Sequence, residues 1–135
     1  MNKEQSIWNG YPVHGDVETL DLIAEETGMV NLDNEDIIRV LSDGGENYVT
    51  TGVSANISDA FSEAVDNLPC KIDKVNKMLV SFRCGIKPPA VKDLTAITAS
   101  LSDAGSDLEF AWSLTSDESL GEAYKIVIVA SVKKA

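Results

Sequence analysis

"LEFAWSLTSDESLGEAYKIVIVASV", Leu108 to Val132, decides how the sheet of this protein is read. Its first half alternates Leu108, Phe110, Trp112 and Leu114 against Glu109, Ala111 and Ser113, the period-two pattern of a strand with two distinct faces. Its second half alternates Tyr124, Ile126, Ile128 and Ala130 against Lys125, Val127, Val129 and Ser131. The intervening "SDESLGE" is too short to hold a helix and bring the chain back parallel. The spacing therefore predicts an antiparallel hairpin.

Upstream, "KPPAVKDLTAITASLSDAG" carries helix signals at both ends. Pro88 and Pro89 precede it, Val91, Leu94, Ile97 and Leu101 repeat along it, and Gly105 closes it. "KMLVSFRCG" reads as a strand with Met78, Val80, Phe82 and Cys84 on one face and Leu79, Ser81 and Arg83 on the other. Before it, Ser58 is placed to cap a helix that turns Ala60, Phe61, Ala64, Val65 and Leu68 inward, with Pro69 just beyond. "NYVTTGVS", Asn47 to Ser54, is rich in β-branched residues and reads as another strand. A helix fits Asn34 to Ser42, with Ile37, Ile38 and Leu41 on one face and Gly44 and Gly45 at its end. Asp16 is placed to cap an earlier one bearing Val17, Leu20, Ile23 and Ala24, which Gly28 stops. Residues 1–15 contain Gly10, Pro12 and Gly15 and read as an irregular lead-in, with Trp8 and Tyr11 available to pack on the core.

The expected fold is α+β. A four-stranded mixed sheet carries two helices on one face, and two N-terminal helices precede it, all within one domain over residues 16–135. Each β-α-β unit is expected to be a right-handed crossover. The second face of the sheet carries Ser81, Arg83, Glu109, Ser113, Lys125 and Ser131 and is expected to be partly solvated.

Composition narrows the function classes. The chain has 135 residues, 44% of them hydrophobic, which suits one domain with a real core. Its 22 acidic residues against 11 basic ones give a net charge of −11. That charge repels phosphate backbones and anionic lipid, so nucleic acid and membrane surfaces are not expected partners. No apolar run approaches a membrane span and the first residues do not read as a secretory signal, so the cytoplasm is the expected compartment. Cys70 and Cys84 are too few for a disulfide framework and are expected to be unbridged. One histidine and no CxxC argue against zinc. No metal or cofactor is expected. His14 reads as a surface or packing residue, Cys84 and Trp112 as core, Lys87 as a loop charge, and Asp117 and Glu118 as turn residues.

The stretch "GMVNLDNEDIIRVLSDGG", Gly28 to Gly45, is the chemically suggestive one. Asp33, Glu35 and Asp36 crowd into four positions beside Asn31 and Asn34. Two readings are open. A helix start prefers such residues, with Asp33 or Asn34 as cap and Glu35 and Asp36 in the first turn. A chemical site could use the same carboxylates.

From about Asp21 to Val132 the sequence resembles the C-terminal half of FtsZ, a tubulin-like GTPase of cell division. The resemblance runs through "DLIAEETGMVNLDNEDI", "TTGVS", a helix ending in "NLPC", "IDKVNKMLVSFRCG" and the last two strands. Asn34 and Glu35 stand where that family has an aromatic residue and an alanine, and Ser54 where it has a second glycine. The family's glycine-rich phosphate loop has no counterpart in these 135 residues, nor do its C-terminal linker and peptide.

The resemblance implies a role for the acidic stretch. In that family this loop, the synergy loop, enters the nucleotide site of the next subunit, where its acidic residues position the water that attacks the γ-phosphate. Asn31, Asp33 and Asp36 match its N-x-D-x-x-D pattern. The implied function is a stand-alone C-terminal domain, an interaction module that docks on an FtsZ-type subunit and modulates its polymerisation or GTP turnover. Such a chain is not an enzyme by itself and supplies acidic residues in trans. The alternative is a protein-binding or self-associating scaffold domain that kept the fold and lost the chemistry.

Overall fold

The computed structural model describes residues 5–8, 10–15, 18–24, 34–69, 74–104 and 108–132. In chain order the elements are β1 (Gln5–Trp8), β2 (Tyr11–His14), α1 (Glu18–Ala24), α2 (Asn34–Leu41), β3 (Glu46–Ser54), α3 (Ile57–Asp66), β4 (Val75–Cys84), α4 (Val91–Ala104), β5 (Glu109–Ser116) and β6 (Tyr124–Val132). One turn of 3-10 helix, Glu118–Leu120, links the last two strands. None of the described helices is long and apolar enough to cross a membrane.

The mixed α+β sheet is present, but it has six strands, in the order β1-β2-β3-β6-β4-β5, not four. The two additional strands come from the region read as irregular. β1 and β2 form an antiparallel hairpin with Trp8 opposite Tyr11, and β2 joins β3 in parallel at His14 and Tyr48.

The expected pairing of the last two strands is also corrected. β5 and β6 do run in opposite directions, but β4 lies between them. β4 is parallel to β5 and antiparallel to β6, which is in turn antiparallel to β3. The short connection suffices because it passes over the end of β4. The Asp117 N–H donates to the Cys84 carbonyl and the Ile86 N–H to the Gly121 carbonyl, both at 2.7 Å. A β-carbon on Gly85 would lie 1.9 Å from the Gly121 oxygen, so only glycine allows the crossing chain this close. β6 is consequently central. Ile126, Ile128 and Ala130 are fully buried on one face, and Val127 and Val129 on the other. A near-continuous apolar run is what burial on both faces requires.

Helices cover both faces. On one side, Ala60, Phe61 and Ala64 of α3 and Ile97 and Leu101 of α4 pack with Met78, Val80, Phe82, Ile126 and Ile128. On the other, Trp8, Val13, Leu20, Ile23, Ile37, Val40 and Leu41 pack with Val49, Leu79, Val127 and Val129. The face expected to be partly solvated is therefore largely covered. Ser81, Ser113 and Ser131 are fully buried, Arg83 and Lys125 are half-buried, and Glu109 alone of that set is exposed. Position in the sheet decides the difference, because β6 draws the helix layer over its own second face.

The cap of α3 is Asn56, not Ser58. The Asn56 side-chain oxygen accepts from the backbone N–H groups of Ser58 and Asp59 at 2.9 and 3.3 Å. Ser58 lies inside the first turn, and an asparagine one residue before the helix satisfies the same free N–H groups.

Candidate functional site

Of the carboxylates singled out in the sequence, Glu35 and Asp36 lie at the start of α2. Asn31 and Asp33 lie outside the described residues. Asn34 is the first residue of α2, and Glu35 and Asp36 fall in its first turn, where the partial positive charge of the helix end favours them. The Glu35 side chain is exposed and that of Asp36 is half-buried. The helix is amphipathic. Ile37, Val40 and Leu41 are buried against the sheet, so this packing fixes the direction in which Asp36 and Arg39 emerge.

An Asp36 carboxylate oxygen lies 3.7 Å from Nη1 of Arg39, one turn along the helix. The arginine is largely exposed, so this pair contributes no more than about 0.5 kcal/mol of stability. Asp36, Arg39 and Val40 form one wall of a small groove of about 70 Å³. Lys77 to Leu79 of β4 and Glu109 to Ala111 of β5 form the other. Lys77 Nζ sits 3.7 Å from Asp43, whose other oxygen accepts from the Ser131 hydroxyl at 3.3 Å. The groove thus brings two carboxylates and two cations to its walls and has no net charge of its own.

This arrangement can orient a donor or a water molecule. Among the described residues, no group of three or more histidine, cysteine, aspartate or glutamate side chains could hold a metal ion. The Asp117 carboxyl titrates away from its ordinary value. It is held below the ordinary carboxylate value first by the Ser119 hydroxyl at 2.6 Å, against a smaller effect of burial. The Ser119 backbone N–H and the charges of Arg83 and Lys125 add to the lowering. Asp117 caps the 3-10 turn between β5 and β6 and is not among the groove residues.

The remaining singled-out residues pack. His14 stacks on Tyr48 with ring centres 4.7 Å apart, and its Nε2 lies 3.4 Å from Glu46. Cys84 is buried, with its sulfur 3.7 Å from the Thr115 carbonyl oxygen. Cys70 lies outside the described residues. Trp112 meets Phe82 edge-on at 5.9 Å. The Lys77 and Glu109 side of the groove was not singled out in the sequence. Their register, which makes them neighbours on β4 and β5, is a tertiary fact.

No family model matches the chain. The sequence is 30% identical over 118 residues to the cell division protein FtsZ of Porphyromonas gingivalis, a match that covers 82% of this chain and 26% of that protein. The chain thus spans about a quarter of the curated relative it matches. Among solved structures, the fold is similar to an empty FtsZ dimer from M. jannaschii, with a TM-score of 0.71 and 21% identity over 85% of this chain and 35% of that one. It is also similar to CetZ from Methanosaeta thermophila, with a TM-score of 0.61 and 15% identity over 88% of this chain and 35% of that one. TubZ of Bacillus thuringiensis serovar israelensis, in GDP-form protofilaments, gives 0.61 and 16% over 87% of this chain and 35% of its own. The sequence match shows homology to FtsZ over a partial length, and the structures show the FtsZ/tubulin-like fold.

Proposed function

We propose that this FtsZ homologue is an interaction module that docks on an FtsZ-type subunit in the cytoplasm and modulates its polymerisation or GTP turnover. The similarity to FtsZ carries the reading. The match spans 82% of this 135-residue chain. In this reading Asn31, Asp33 and Asp36 enter the partner's nucleotide site. The two carboxylates accept hydrogen bonds from the attacking water and hold it in line with the γ-phosphate. A carboxylate beside a triphosphate is repelled unless a metal ion and an oriented water intervene, and the partner supplies both. Positioning and electrostatic stabilisation are most of what phosphoryl transfer asks of a protein.

The module is not itself the GTPase. Its net charge of −11 opposes binding of a free triphosphate. Co-sedimentation with assembled FtsZ-type filaments is the direct test. The reading expects the chain to pellet with filaments and stay in the supernatant without them. Absence from the pellet across a wide concentration range would exclude docking.

A second reading, a binding domain that keeps the fold without the chemistry, draws support from the N-terminal hairpin. Trp8 and Val13 bury Leu20 and Ile23 from within the same chain. A domain that covers its own apolar surface does not need a GTPase half to complete its core. The two readings part at Asp33 and Asp36, which matter to a partner only in the first.

A further inference from the structure

We propose that the hairpin of β1 and β2 is an exchangeable arm, and that its second acceptor is the same site on another copy of this chain. Three observations carry this. The arm is held to the sheet mainly by side chains. β2 meets β3 at the single register pair His14 and Tyr48, whereas β6 pairs with β3 from Tyr124 to Val132. Its anchors are discrete and portable. Trp8 is buried and its indole N–H donates to Asp21 at 2.8 Å, Val13 is fully buried, and Asn47 donates to the Pro12 carbonyl at 3.2 Å. The Asp21 and Asn47 side chains that hold the arm lie on α1 and β3, and the apolar cluster that buries Trp8 and Val13 is drawn from the body of the same domain, so a second copy offers an identical set.

The third observation is the connector. Only residues 15–17 separate β2 from α1. Short hinges between an arm and its body favour exchange, because an extended connector reaches a neighbour more easily than it turns back. The occupant of the site is already known chemically, since this chain's own hairpin fits it. The net charge of −11 adds a condition. Two copies repel at low salt, so exchange should rise with ionic strength as that repulsion is screened. The arm exchange is independent of docking on an FtsZ-type subunit, and either can fail alone.

The test uses the full chain carrying His14→Cys and Tyr48→Cys, which face each other across the register pair. Adjacent strands bring such residues within disulfide range. The protein is refolded at high concentration in high salt, oxidised, and examined by denaturing mass measurement without reductant; the unmodified chain is followed by analytical ultracentrifugation. Arm exchange predicts a dimer whose engineered disulfide joins two chains. It also predicts that three residues (Gly-Ser-Gly) inserted after Gly15 lower the dimer fraction by at least about tenfold, because a longer hinge lets the arm fold back. A chain that stays monomeric under all these conditions overturns the proposal. So does a dimer in which the disulfide closes within each chain, which places the arm at home.

Discussion

β6 and β2 are strands of the same sheet and are held there by different forces. β6 lies in the middle, paired along its whole length with β3 on one side and β4 on the other, and both of its faces are buried. β2 touches β3 at one register pair and depends on Val13, on its partner strand's Trp8, and on Asn47 reaching the Pro12 carbonyl. The ladder makes β6 part of the cooperative unit. The plug makes the hairpin an attachment that can open without the rest. Local opening free energies differ in this way when buried apolar contacts and backbone bonds are unevenly distributed.

Truncation of each region should separate them. Ile128→Ala, at a fully buried position of β6, should lower global stability by about 2–5 kcal/mol in urea unfolding, with every probe of structure moving together. Trp8→Ala should cost less, about 2 kcal/mol, because the hairpin can detach instead of leaving a cavity. Hydrogen exchange should then show lost protection at residues 5–14 while β6 keeps its own. Loss of protection in β6 to the same degree would erase the distinction between the strands.

Asn47→Ala removes donors to two carbonyls, those of Pro12 and Leu41, at 3.2 and 3.1 Å. Its expected cost is about 1–2 kcal/mol, again with the larger change at the hairpin. The smallest effect concerns acid. Asp117 has a folded-state pKa below its ordinary value, so the stability it contributes is present above the unfolded pKa and is lost as pH falls through the folded one. Asp117→Asn should flatten the fall of melting temperature below about pH 4 and change its slope little above that. An unchanged acid limb would show that Asp117 contributes nothing to the acid lability of the fold.

The same contrast explains what was legible in the sequence. The helices and the four strands from β3 to β6 announce themselves through period and punctuation. The α+β class and the likeness to FtsZ follow from their order. The pairing of β5 with β6 did not, because a short connector fixes direction and not adjacency. "KIVIVA" nevertheless held the clue, since an edge strand has no need of apolar residues on both faces. The hairpin was also legible in part. Asn9 and Gly10 stand between Trp8 and Tyr11, a dipeptide that favours tight turns, and Gly10 has φ of 87°. Pro12 and the brevity of each strand hid it. For the candidate site, the sequence placed Asp36 in the first turn of α2. The groove walls of Lys77 and Glu109 come from sheet register, which no local pattern encodes.

In the proposed function, Asp33 and Asp36 act on a partner's nucleotide and not on this chain's own fold. As groups near a helix start they contribute about 0.3–1 kcal/mol each to stability. As water-positioning groups they would govern turnover by orders of magnitude. The decisive measurement is the GTP turnover of a purified FtsZ-type GTPase with this chain added, as wild type and as the Asp33→Asn and Asp36→Asn variants, alongside the melting temperature of each variant. Wild type should change turnover, and both variants should melt within a few degrees of it yet lose that change. Turnover that is the same with wild type, with either variant and with no addition would contradict this role and leave the acidic cluster as the opening of a helix.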